Sequence, residues 1–120
     1  MSDKEDIISG LLLELRRGTI VLSVLCQLSS SKYGYSLVQE LSDNNIPIEA
    51  NTLYPLLRRL EKQGLLKSEW ETTGSKPRKY YVTTELGNDV YIRLKQEWLS
   101  MVEKMDNLIN KGEENDGTTN

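Results

Sequence analysis

Asn51-Thr52-Leu53-Tyr54-Pro55-Leu56-Leu57-Arg58-Arg59-Leu60-Glu61-Lys62-Gln63-Gly64 is the stretch whose reading decides the fold. Leucines at 53, 56, 57 and 60 follow the i, i+3, i+4, i+7 spacing of a helix with one buried face. Asn51 is the expected N-cap and Gly64 the expected C-terminal stop, while Pro55 is tolerable because it lies near the start. At 100° per residue, the side opposite the leucines carries Asn51, Pro55, Arg58 and Lys62. Arg59 and Thr52 lie on one flank and Tyr54 on the other. A helix that enters the major groove needs such a face, with donors for base edges near its start and cations for phosphates. Asn51, Thr52 and Arg58 suit base edges, whereas Tyr54, Arg59 and Lys62 suit the backbone. The same pattern also fits an ordinary solvated helix face.

The neighbouring segments narrow the choice. Residues 65–71 and 78–83 alternate as two strands joined by the polar turn Thr72-Thr73-Gly74-Ser75-Lys76-Pro77. Upstream, Ile7, Ile8, Leu11, Leu12 and Leu15 predict an N-terminal amphipathic helix that breaks near Arg17-Gly18. Val21, Val24, Leu25 and Leu28 repeat the buried-face spacing. Ser29-Ser30-Ser31 is the expected cap and turn before a short helix through Leu37, Val38 and Leu41, which Asp43-Asn44-Asn45-Ile46-Pro47 should end. Thr84 should cap a last helix to about Asn110, and the polar tail beyond it is expected to be disordered. Three packed helices followed by a hairpin form a winged helix-turn-helix: an α+β fold, mainly α. The expected division is a winged helix-turn-helix over 1–83, a dimerisation helix over 84–110 and a tail over 111–120.

Composition removes much chemistry. The 120 residues include no histidine and one cysteine, which excludes histidine-based triads and a disulfide framework and leaves no realistic zinc site. Metal-ligand spacing and Gly-rich phosphate loops are absent from the sequence, so no cofactor, metal or enzymatic activity is expected. Glu69 and Glu71 share one face of an exposed hairpin, which offers no cleft for a catalytic pair. No apolar run reaches the ~18 residues of a membrane span, and the start is not that of a secretory signal. A cytoplasmic protein without membrane partners is expected.

Net charge is −3, which by itself argues against a nucleic-acid partner. The charge is unevenly spread: residues 1–50 balance to −3, residues 51–82 to +4 and residues 83–120 to −4. The cation-rich middle holds the helix above and Lys76-Pro77-Arg78-Lys79, three cations at the hairpin tip and its descending strand. Together they favour double-stranded DNA over a mere solubilising surface. Of Tyr80 and Tyr81, alternation sends at least one into the core.

In the last helix, Tyr91, Leu94, Trp98, Met101, Met105 and Leu108 form a heptad seam. One small domain cannot cover it, so a homodimer is expected. Trp98 and Met101 serve either as interface core or as the wall of an apolar slot at the dimer axis, to which Leu15 and Leu22 could add. Cys26, beside Leu25, is expected to be a buried, inert thiol.

Three runs carry a family resemblance: Tyr33-Gly34-Tyr35-Ser36-Leu37, then Asn51 to Leu66, then Pro77-Arg78-Lys79-Tyr80-Tyr81-Val82-Thr83-Thr84-Glu85-Leu86-Gly87. The sequence from about Gly18 to Asn110 resembles the PadR family, the phenolic-acid-decarboxylase type of bacterial transcriptional regulator. Its short length is similar to that of the small subfamily with a single C-terminal helix and multidrug-responsive repressors. The resemblance implies a homodimeric repressor, a recognition helix at 51–63 and a wing at 71–78. It also implies that Tyr33, beside the family glycine Gly34, can reach a phosphate, and that a tryptophan at the position of Trp98 stacks on a flat aromatic or drug-like effector. Thr83 stands where the family often has leucine. The DNA-binding set is thus Tyr33, Asn51, Thr52, Tyr54, Arg58, Arg59, Lys62, Lys76, Arg78 and Lys79. The competing expectation is a winged-helix protein-interaction module without specific DNA binding, which the intact cation set disfavours.

Overall fold

The computed structural model describes residues 3–118. In chain order these form α1 (Asp3–Arg17), α2 (Ile20–Gln27), β1 (Lys32–Tyr33), α3 (Gly34–Asp43), α4 (Ala50–Lys62), β2 (Leu66–Glu71), β3 (Arg78–Thr83) and α5 (Glu85–Thr118). Leucine spacing does most of the folding. Leu53, Leu57 and Leu60 of α4 meet Val24, Leu25 and Leu28 from the α2 segment, Leu37 and Leu41 of α3, Leu66 of β2 and Tyr81 of β3 in one core. Each such side chain contributes roughly 1.5–3 kcal/mol by leaving water. Leu56 and, from α5, Val90, Tyr91 and Leu94 pack partly buried around it.

The sheet is antiparallel with order β1-β3-β2. β3 pairs Tyr81 with Lys32 and Tyr80 with Tyr33 on one side, and Tyr81 with Ser68 and Lys79 with Trp70 on the other. Tyr81 is therefore the buried tyrosine, and Tyr80 stays half-exposed. The strand β1 lacks a sequence signal of its own, because two residues cannot show an alternation. It also displaces the expected cap: Tyr33, not the serine run, is the residue before α3, and it makes no side-chain cap bond.

Two helices end in the same way. Asn45 and Gly64 both take positive φ, at 63° and 82°. The next N–H reaches back to the helix in each case: Ile46 N–H to the Leu41 carbonyl at 2.8 Å and Leu65 N–H to the Leu60 carbonyl at 2.9 Å. These are Schellman closures, which glycine and asparagine allow at least cost. At the other end, α4 starts two residues earlier than the expected cap at Asn51 implies. Glu49 precedes it, so Asn51 is inside the first turn and is not the N-cap, and Pro55 falls in the second turn. Since Pro55 has no N–H, the Asn51 carbonyl lacks its i+4 donor and is left on the outer face of the helix.

Thr83 and Thr84 tie the sheet to the helices. The Thr83 hydroxyl donates to the Leu28 carbonyl at 2.5 Å, beside a 2.9 Å bond from its own N–H, so the departure from leucine has a structural use. Thr84 caps α5 as expected: its hydroxyl accepts the Gly87 N–H at 3.0 Å and donates to the Gly64 carbonyl at 2.6 Å. The helix α5 then runs to Thr118, so the end expected near Asn110 is too early and residues 111–118 are helical. Residues 119–120 of the expected tail lie outside the described residues. The predicted break after Arg17 is present, with Thr19 N–H and hydroxyl both closing on the Arg16 carbonyl.

Candidate nucleic-acid interface

The outer face of α4 is open. Asn51, Thr52, Arg58, Arg59 and Lys62 are all exposed, while the leucines on the opposite side are buried or half-buried. The Schellman turn at Gly64 sends the chain straight into β2, so the hairpin β2–β3 stands beside the end of α4. Lys76 and Arg78 are exposed on that hairpin.

Tyrosines join the start of α3 to the wing. The Tyr33 ring lies 6.3 Å from that of Tyr35 and 5.9 Å from that of Tyr80, and the Arg78 guanidinium sits 5.3 Å from the Tyr33 ring centre. Stacking on Tyr33 holds Arg78 near the face of the wing without neutralising it. Tyr54 plays a different part from the other nominated residues. A Cβ on Gly34 would stand 2.9 Å from Tyr54 Cε1, so the glycine admits the ring against α3. Burial, then the neighbouring phenols of Tyr33, Tyr81 and Tyr35, push the Tyr54 phenol above its ordinary 10.0. Tyr54 is thus a spacer between α3 and α4, with its body wedged.

Lys79 does not have the setting expected of it. Expected as one of three wing cations facing DNA, Lys79 has its Nζ 3.6 Å from Glu61 Oε1 and 5.3 Å from the Tyr81 ring centre. Glu61 lies five residues before the start of β2 and eighteen before Lys79 in sequence, and only the turn at Gly64 brings it there; spacing alone carries no signal for this pair. Sequence reading also passed over Tyr35, which is 64% exposed beside Tyr33.

A second feature lies between α2, the end of α3 and α5. It is a largely apolar groove of about 380 Å³ lined by Leu22, Cys26, Leu41, Ile46, Tyr91 and Trp98, among others. Leu22 and Trp98 are the nominated residues that it brings together. Leu15 and Met101 are not on its wall, and Leu15 stands out on α1, 74% exposed. Cys26 is exposed in the groove, contrary to the buried thiol expected from its neighbours. It shares a hydrogen bond with Tyr91, which, ahead of burial, pushes that phenol above 10.0.

The heptad seam on α5 divides. Tyr91 and Leu94 are partly buried in their own chain. Trp98, Met101, Met105 and Leu108 remain exposed, as do Ile7, Leu11 and Leu12 of α1. Among the described residues no group of acidic or cysteine side chains could hold a metal, and no helix is long and apolar enough to cross a membrane.

Comparison with known proteins agrees with this layout. The model of the Transcriptional regulator PadR-like family matches residues 21–93. A crystal structure of a PadR family transcriptional regulator from Eggerthella lenta is 55% identical, with a TM-score of 0.85 over 88% of this chain and 95% of that one. An uncharacterized protein of Lysinibacillus sphaericus is 33% identical over 86% of this chain and 92% of its own length. The transcriptional regulator Rv3488 of Mycobacterium tuberculosis is 36% identical over 62% of this chain and 70% of its own. The matched span runs from the core of α2, through the exposed outer face of α4 and the wing, to α5: this chain belongs to the PadR-like family of transcriptional regulators, which act as DNA-binding regulators and not as enzymes.

Proposed function

We propose that the protein is a homodimeric, sequence-specific repressor whose grip on its operator is released by a small aromatic ligand. The observation that carries the dimer is the apolar strip of Trp98, Met101, Met105 and Leu108, exposed along α5. Leaving such side chains in water forgoes roughly 1.5–3 kcal/mol each, and a second α5 is the surface of matching length and chemistry. Each protomer offers one α4 to the major groove. Asn51, Thr52 and Arg58 read base edges there, and Arg59, Lys62, Tyr33, Lys76 and Arg78 hold phosphates. The dimer sets the two helices about 34 Å apart, one turn of DNA.

The groove beside Trp98 supports the release. Its volume falls within the range of about 300–1,000 Å³ usual for small-molecule sites, and its wall is apolar with few polar groups. In a dimer joined along α5, Leu15 and Met101 can close its mouth. A flat ligand there alters the angle between the two α5 helices and favours a spacing that no longer fits the operator.

Fluorescence anisotropy with labelled DNA from upstream of the protein's own gene tests the reading. The expected result is tight binding that discriminates against a shuffled duplex and weakens with salt. Equal binding to both duplexes refutes sequence specificity at that promoter. Light scattering that returns the 13.7 kDa chain mass refutes the dimer.

A further inference from the structure

Glu61 is out of place in a helix that meets phosphates, because a carboxylate there repels DNA. Its contacts explain it. Oε2 accepts a hydrogen bond from the Ser68 hydroxyl of β2, and Oε1 lies 3.6 Å from the Lys79 ammonium of β3. The pair is partly screened from water, with side-chain exposures of 30% for Lys79 and 33% for Glu61. Lys79 is held from two more sides: its ammonium is 5.9 Å from the centre of the Trp70 ring, its cross-strand partner, and 5.3 Å from that of Tyr81. One carboxylate at the end of α4 therefore touches both strands of the hairpin at once. Toward its tip, beyond the Trp70–Lys79 pair, the hairpin is exposed on every residue.

We infer that Glu61 is a positioning residue that locks the wing against the recognition helix through Ser68 and Lys79, and that Lys79 serves this joint without taking a phosphate. The helix and the wing grip the same duplex, so the angle between them decides whether Arg58 and Arg78 reach DNA together. The functional consequence rests on the DNA-binding reading above, while the joint itself does not.

The test compares the full-length wild type with Glu61→Gln, Lys79→Met and the double variant, using the same upstream duplex and a salt titration. Loss of a negative charge alone would tighten phosphate binding. The joint predicts the opposite sign: Glu61→Gln binds roughly tenfold more weakly, Lys79→Met loses a similar amount, and the double variant is no worse than either single one. The slope of log affinity on log salt stays at the wild-type value for Lys79→Met, whereas Lys76→Ala flattens it by about 0.9. Tighter binding by Glu61→Gln, or a slope loss of about 0.9 in Lys79→Met, overturns the proposal. Amide hydrogen exchange gives a readout that needs no DNA. Residues 66–83 should exchange faster in Glu61→Gln while the core amides of Leu25 and Leu57 stay protected, and an unchanged hairpin overturns the joint. If the wild type fails to bind the duplex, the operator reading fails and the exchange result alone decides the joint.

Discussion

Among the described glycines Gly87 leaves the least room for a side chain, and alanine at that site should be among the costliest small substitutions. A Cβ there would stand 2.0 Å from the Leu65 carbonyl oxygen, 2.6 Å from Thr83 Cγ2 and 2.9 Å from the Leu65 carbonyl carbon. Two of these atoms are backbone, so no side-chain rotation relieves the clash. The Leu65 carbonyl also accepts the Thr84 N–H at 3.0 Å, and Gly87 N–H donates to Thr84 Oγ1, so any shift that makes room strains the start of α5. Overpacking of this kind costs about 3 kcal/mol, which for a chain of this size lowers the melting temperature by roughly 10 °C. Gly10 is the control: it lies inside α1 with nothing within 4 Å of an added Cβ. There alanine removes a helix penalty and should stabilise by up to ~1 kcal/mol. Thermal melts followed by far-ultraviolet circular dichroism separate the two. A Gly87→Ala variant that melts within about 2 °C of the wild type would refute the packing described here. Because α5 carries the exposed seam, a tolerated but displaced α5 would also weaken the proposed dimer.

The other predictions concern function and pH. Arg58→Ala with Arg78→Ala should abolish operator binding at moderate salt while light scattering still reports the wild-type mass, and binding that persists with an unchanged salt slope counts against both residues as contacts. In a Trp70→Phe background, Trp98→Ala should remove the quenching produced by an aromatic ligand yet bind DNA as the Trp70→Phe parent does, and quenching that survives rules out the groove. At the wing tip, the Thr73 hydroxyl and, at 3.0 Å, its N–H donate to Glu71 Oε1 and hold that carboxyl below its ordinary 4.5. A depressed carboxylate supports the turn above 4.5 and loses that support as pH falls through its lowered value. The Thr73 amide resonance should therefore titrate with a midpoint below 4.5, and a midpoint at or above 4.5 would refute the contact.

Much of the fold was legible because its signals are periodic and local. The Leu53-Leu56-Leu57-Leu60 spacing, Gly64 as a stop, Thr84 as a cap and the alternation around Tyr80-Tyr81 each depend on neighbours within one helical turn or one strand. The outer face of α4 was legible for the same reason: a helix projects its residues by angle alone. Two kinds of feature escaped. The strand β1 exists only because β3 comes to lie beside Lys32 and Tyr33, and Glu49 rather than Asn51 is the cap residue of α4, a two-residue difference that moves Pro55 into the second turn. Cys26 followed no local rule either, since its exposure depends on a groove built from three helices.

What the sequence by itself determined is the set of buried faces, the helix ends and the surplus of cations between residues 51 and 82, all consequences of side-chain type repeated at a fixed period. What only the tertiary structure decided is which of those cations remain available. Lys79 is drawn to Glu61 and onto aromatic rings, Arg78 is set on the Tyr33 ring and left exposed, and Tyr54 is wedged over Gly34. Charge counts along a chain know nothing of such partners, because ion pairs and stacking act over a few ångströms between segments that meet only when the turn at Gly64 folds the wing back beside α4.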